Sequence, residues 1–257
     1  MNRYLDFLIK TYKREKGRIA NEKLISTEID KNISDLVIRH GPFQGMQYPE
    51  KCSVGSALFP KLLGSYEAEL HQIIDTCINK EYANIIDIGC AEGYYAVGMA
   101  TRIPGSTIYA YDINPHALNL TNTMFSINDI DQDRFFVGSL CDEQTLMSLP
   151  LDKKSLIISD CEGYEKYLFT NKSIDFLSSH DLLIEVHDIF DIEISSYLSG
   201  LFKDTHNLTI VYSIDDIQKA KTYDYSEING YDLLTKKTLL EEGRESIMEW
   251  FYLESKK

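Results

Sequence analysis

Two short runs in the second half of the chain concentrate side chains that move protons. Asp160-Cys-Glu-Gly-Tyr-Glu165 carries three carboxylates, and Glu185-Val-His-Asp188 sets an imidazole among two more. An imidazole titrates near neutrality and can take the proton of a hydroxyl. His187 is therefore a candidate general base, with Asp160 or Glu185 either orienting it or accepting the proton, and Glu162 a further candidate at the same place. Glu162 and Glu165 have a second use, at the N-terminus of a following helix. Carboxylates and an imidazole that converge can also hold a divalent ion that lowers the pKa of a bound hydroxyl, so Asp160, Glu185 and His187 are the candidate metal ligands.

A different chemistry is written upstream, in Asp87-Ile-Gly-Cys-Ala-Glu-Gly93. A buried strand that breaks at a glycine and resumes as a helix offers unpaired backbone N–H groups to a ligand. The dinucleotide pattern asks for a glycine two positions after the first, and here that position is Ala91. Asp87, two residues before Gly89, suits a ligand with a positive charge beside the turn, as the methionine ammonium of S-adenosylmethionine would be. Asp112 ends the next apolar run, where a carboxylate can accept both hydroxyls of a ribose. A nicotinamide dinucleotide oxidoreductase remains the rival from another cofactor class, as does a nucleotide-binding module without turnover.

Elements that would position these residues follow from the hydrophobic pattern. Apolar runs at Asn84–Gly89, Thr107–Asp112, Arg134–Gly138, Ser155–Asp160 and Asp181–His187 alternate with amphipathic stretches, and two further runs lie at Asn207–Ser213 and Ile247–Leu253. This alternation predicts an α/β fold: a Rossmann-like, seven-stranded, mostly parallel sheet with flanking helices. Helices are expected over Gly93–Arg102, Pro115–Ile127 with Asn114 as cap, Tyr164–Ser178 and Ile189–Phe202. Residues 1–80 form an N-terminal helical cap in this reading, with two helical segments, a helix near Leu62–Asp75 and a Gly/Pro-punctuated loop, His40–Ser56, closing over the cleft; residues 81–257 form the cofactor-binding domain. The tyrosine-rich stretch Lys221–Leu234 is a candidate to stack on a sugar or line a lid.

The run DIGCAEGYYAVGMA with YAYDINP resembles the first two motifs of Rossmann-like S-adenosylmethionine-dependent methyltransferases, and SLIISDCEGYE with LLIEVH resembles the Asp-x-Glu-Gly-x-Glu and Glu-x-His patterns of FkbM-type methyltransferases. The resemblance implies O-methyl transfer from S-adenosylmethionine to a small hydroxylated acceptor, a carbohydrate or sugar nucleotide of surface-glycan biosynthesis foremost and a peptide or polyketide-type product as alternative. It also implies that Asp87, Gly89, Cys90, Ala91 and Gly93 surround the methionine part, Asp112 the ribose, and Ile113 one adenine face. Ser139 and Leu140 would sit at the adenine edge, Asp160 between cofactor and acceptor, and Glu67 beside the methionine ammonium.

Composition narrows the partners. A formal net charge of −14 repels phosphate backbones and argues against nucleic acid; the basic stretch Lys10–Arg18 is expected on a solvated helix face. No run nears the roughly 20 apolar residues of a membrane span, and the early charges follow the apolar patch rather than precede it, which predicts a cytoplasmic protein without a membrane partner. The 5 cysteines lack a CxxC pair and are expected as buried thiols. A homo-oligomer stays open.

Overall fold

The computed structural model describes residues 2–244 and 246–257, with side chains described from Lys16 onward. Met1 and the side chains of the basic stretch before Lys16 lie outside the described residues, whereas Lys16, Gly17 and Arg18 are exposed.

Helix α1 (Asn2–Asn32) opens the chain as one continuous element where two segments were expected. After the loop come α2 (Leu58–Leu63), a 3-10 turn at Ala68–Leu70 and α3 (His71–Asn79). Then β1 (Asn84–Ile88), α4 (Tyr94–Arg102), β2 (Thr107–Tyr111), α5 (Pro115–Ile127), β3 (Phe135–Gly138), α6 (Glu143–Met147) and β4 (Ser155–Ser159) alternate. The helix expected over Tyr164–Ser178 is two short pieces, α7 (Glu165–Leu168) and α8 (Ile174–Leu177), parted by the Thr170–Ser173 turn, in which Ser173 Oγ takes the Thr170 N–H. β5 (Asp181–Val186) follows, and α9 (Ile194–Phe202) starts five residues later than expected because Ile189 and Phe190 turn toward the cleft. The chain ends with β6 (His206–Tyr212), α10 (Asp216–Thr222), α11 (Leu233–Leu240) and β7 (Glu249–Ser255).

The seven strands order as β3-β2-β1-β4-β5-β7-β6, with β1 to β5 parallel and β7 antiparallel to both neighbours. This is the α/β, Rossmann-like sheet the apolar runs predict. Strand side chains alternate between faces, and both faces are covered. Ile85, Ile108, Leu156, Ile158 and Leu183 join one core; Ile86, Ile88, Ile157, Leu182 and Ile184 join the other. Each such side chain taken out of water contributes about 1.5–3 kcal/mol, which explains runs apolar at consecutive positions.

The first core also takes in Ile29, Ile33, Ile38, Phe43, Met46, Tyr48, Phe59, Leu62 and Leu63, so the N-terminal region and the sheet share one hydrophobic interior. Tyr223, Tyr225 and Tyr231 pack against this core from the α10–α11 region, and Tyr231 bonds Glu28 and Lys31. They do not line the cleft, where a sugar-stacking role would have put them: Tyr231 sits against Glu28 and Lys31 of α1, and Tyr225 lies between the rings of His40 and Tyr223. Cys77, Cys90 and Cys141 are buried and Cys52 and Cys161 half-buried, and all five are free thiols. No helix among the described residues is long and apolar enough to cross a membrane.

Candidate active site

Parallel pairing brings the carboxyl ends of β1, β4 and β5 side by side. Ile88 lies opposite Ser159, and Ser159 opposite Ile184, so Gly89, Asp160 and Glu185 follow at one edge. The fit there is tight. Gly89 has φ +84°, and a Cβ on it would stand 1.7 Å from the Asp160 carbonyl oxygen. Gly93 has φ +96° and starts α4. The intervening turn is held by Gly89 and Cys90 N–H groups donating to the Tyr111 carbonyl, and by Ala91 N–H donating to Asp112 Oδ2 at 2.9 Å.

A cavity of about 680 Å³ opens over this edge. One end is walled by Asp87, Gly89, Cys90, Ala91, Asp112, Ile113, Ser139 and Leu140, the residues named from the first three strand ends. Asp87 is 2% exposed, and its Oδ2 has no hydrogen-bond partner. Burial pushes its carboxyl up to about 7, the state expected of a buried acid that lacks a cation. Asp112 Oδ1 accepts from Asn114 N–H at 2.7 Å while the carboxylate still faces the cavity. Ile113 and Leu140 are 76% and 55% exposed, an apolar pair on the wall that a flat ring would cover. A cationic ammonium at Asp87, a diol at Asp112 and an aromatic base between Ile113 and Leu140 match the chemistry of these donors, so the residues fit S-adenosylmethionine.

The other end carries Asp160, Glu162, Tyr164, Glu185, His187, Ile189 and Phe190. His187 is 4% exposed, and its Nδ1 meets the buried Glu165 Oε1 at 2.6 Å. Nε2 stands 3.4 Å from Asp160 Oδ1, 3.6 Å from Glu162 and 3.9 Å from Glu185 Oε2. Burial opposes charging the imidazole, but the Glu165 bond and the adjacent carboxylates outweigh it, and its pKa is raised. Burial, and next the neighbouring Glu185, push Asp160 well above the usual carboxylate range. Glu162 sits at φ +52° with an exposed side chain.

Two expected site residues stand off the cavity wall. Gly93 shapes the turn without lining the cavity. Glu67 is buried behind the wall, where Tyr95 and Arg244 take its carboxylate and its own N–H donates to Glu242. Burial drives its carboxyl up to about 8 against the pull of Arg244. Asp188, adjacent to the imidazole in sequence, turns away to bind Ser195 N–H and Oγ.

The structure adds three residues that sequence reading missed or left undecided. Arg244 joins Glu67, Glu185 and Glu242 from the loop after α11, where no motif marks it. Glu92, inside the glycine-flanked turn, binds Lys61 at 2.6 Å, Ser53 Oγ at 2.9 Å and Val54 N–H at 3.0 Å, and so holds the 54–56 segment on the cavity wall. Lys61 keeps Glu92 charged against burial, its pKa lowered. Glu165 is the imidazole's partner; its spacing in the Asp-x-Glu-Gly-x-Glu run was the available signal.

No family model matches the chain, and no curated protein matches it. Among solved structures it is similar to the MccD protein (15% identity over 74% of this chain and 97% of that one, TM-score 0.44). It is also similar to the O-methyltransferase TomG of Streptomyces achromogenes in complex with SAM (7%, 75% and 81%, 0.45) and to precorrin-6y C5,15-methyltransferase of Geobacter metallireducens GS-15 (11%, 71% and 87%, 0.43).

Proposed function

We propose that this protein is an S-adenosylmethionine-dependent O-methyltransferase acting on a hydroxyl of a small metabolite. The observation that carries the reading is that one cavity joins two ends: an end with an orphaned buried carboxylate, a ribose-ready Asp112 and an apolar pair adjoins an end with an oriented imidazole among carboxylates. S-adenosylmethionine would supply a methyl group on a sulfonium. Gly89 and Asp160 form the junction between the two ends, so an acceptor held at the His187 end would lie next to a cofactor held by Asp87 and Asp112, the proximity an in-line transfer requires. Glu165 fixes the imidazole with Nε2 toward the acceptor, and His187, Asp160, Glu185 and Glu162 surround the hydroxyl whose proton must leave.

Tyr164, Ile189 and Phe190 offer exposed apolar faces at the mouth, which suits the C–H face of a sugar ring, and a carbohydrate is the acceptor we favour. A sugar nucleotide would bring a diphosphate. Both cationic side chains on the described wall, Lys61 and Arg244, are already held by carboxylates, so an uncharged sugar is the better fit.

Titration calorimetry with S-adenosylhomocysteine and with NAD tests the cofactor, and transfer of label from S-adenosylmethionine to pools of sugars, glycan fragments and phenols, read by mass, tests the acceptor. Saturable S-adenosylhomocysteine binding and a mass gain on a hydroxyl are expected. Binding of NAD alone would end the methyltransferase reading.

A further inference from the structure

The acceptor end holds more ligand chemistry than proton removal requires. One atom each from Asp160, Glu185 and His187 lies within 4.8 Å of the other two. His187 and Glu185 are both 4% exposed, and in both the outer atom is tied from behind. Glu165 holds His187 Nδ1, and Arg244 holds Glu185 Oε1. What remains, Nε2 and Oε2, lies 3.9 Å apart, and Asp160 Oδ1 stands 3.4 Å from the same Nε2. Asp160 Oδ1 is buried without a hydrogen bond of its own. The imidazole nitrogen and the orphaned carboxylate oxygen thus stand together on the wall of the cavity.

We propose that Asp160, Glu185 and His187 form a divalent-cation site open to the cavity. Ligands about 2.1 Å from an ion in tetrahedral array are about 3.4 Å apart, the separation seen between His187 and Asp160; Glu185, 3.9 Å from the imidazole and within 4.8 Å of both partners, must draw in to complete the set. Glu165 and Arg244 are the outer partners that fix such ligands, the arrangement by which a carboxylate behind a histidine sets its tautomer and raises its basicity. Two carboxylates and one imidazole suit manganese or zinc.

The use of the ion, though not its binding, rests on the methyltransferase reading. It would act on the acceptor hydroxyl from the cavity side, lowering its pKa. The released proton would pass to Glu162, the one exposed carboxylate of the group. His187 would then hold the ion rather than take the proton itself.

The test is titration of the chelator-stripped full-length protein with Mn2+, free ion followed by electron paramagnetic resonance. Trp250, the only tryptophan, pairs with Glu185 across β5 and β7 and should be quenched as the ion binds. One Mn2+ per chain is expected. Asp160→Asn should lose at least about tenfold in affinity, and Glu165→Gln, which touches no ion, about 10–100-fold, with melting curves confirming that both variants are folded. Absence of Mn2+ binding, or binding indifferent to Asp160→Asn, overturns the site. Calorimetry with S-adenosylhomocysteine on the same sample separates the two readings: cofactor binding without Mn2+ sinks the ion alone, and Mn2+ binding without the cofactor sinks the methyltransferase alone.

Discussion

Replacing Gly89 with alanine should disable the junction between the two halves of the cavity. Two costs combine. The first is conformational: at φ +84° a Cβ meets its own carbonyl, about 1–2 kcal/mol. The second is steric, because the new methyl would stand 1.7 Å from a backbone oxygen of Asp160, which cannot swing away as a side chain end could. Strand β4 or the turn must shift, and overpacking of this kind costs about 1–3 kcal/mol. Gly45 isolates the first cost, since it has φ +93° and a Cβ there meets nothing within 4 Å. At about 2–4 °C per kcal/mol for a chain of this size, Gly45→Ala should lower Tm by about 2–8 °C and Gly89→Ala by about 4–20 °C. Circular dichroism melts of the two variants side by side measure the difference. Displacing the turn also moves Asp87 and Ala91, so S-adenosylhomocysteine affinity should drop at least about tenfold, about 1.4 kcal/mol, in Gly89→Ala only. Equal Tm losses in the two variants would refute the steric argument.

The Asp87 carboxyl, pushed up to about 7 from 3.8 by burial, holds its proton more tightly folded than unfolded. Its contribution therefore favours the folded state at acid pH and is lost as pH rises through that value. An ammonium needs the charged form, so S-adenosylhomocysteine affinity should rise between about pH 6 and about pH 8 and stay flat in Asp87→Asn; calorimetry showing parallel profiles would remove Asp87 from the cofactor. His187→Ala should lower label transfer by about 10²-fold or more with cofactor affinity within a few fold, and normal single-turnover rates would exclude the imidazole. Glu92→Gln leaves Lys61 buried without a countercharge, a loss of about 3–5 kcal/mol, and should expose the Lys51–Ser56 segment to trypsin; unchanged digestion would mean that the core alone holds that loop.

How much of this was legible depended on the range of the forces involved. The strands could be read because sheets covered on both faces make consecutive positions apolar, as in Ile85, Ile86 and Ile88, and the parallel class followed from helices placed between them. Clustering of Asp87, Asp112, Asp160 and Glu185 at one edge was implicit as well, since every parallel strand delivers its last residue to the same side. Boundaries were less secure. Gly17 inside α1 did not break it, while the single turn at Thr170–Ser173 split a stretch whose pattern suited one helix.

Only the tertiary structure decided the partners. Glu165 meets His187 across 22 positions and Arg244 meets Glu67 across 177, pairings set by which strands are neighbours and by the loops that fold back over them. Glu67 lies behind the cavity wall because Arg244 and Tyr95 take its carboxylate, and Tyr231 and Tyr225 stand off the cleft because α1 offers partners to the first and the His40 ring to the second. Backbone period and strand polarity are local properties and are written into the residues one after another. The choice of partner for a buried charge is a contest among groups distant in sequence, and it is settled when the core closes.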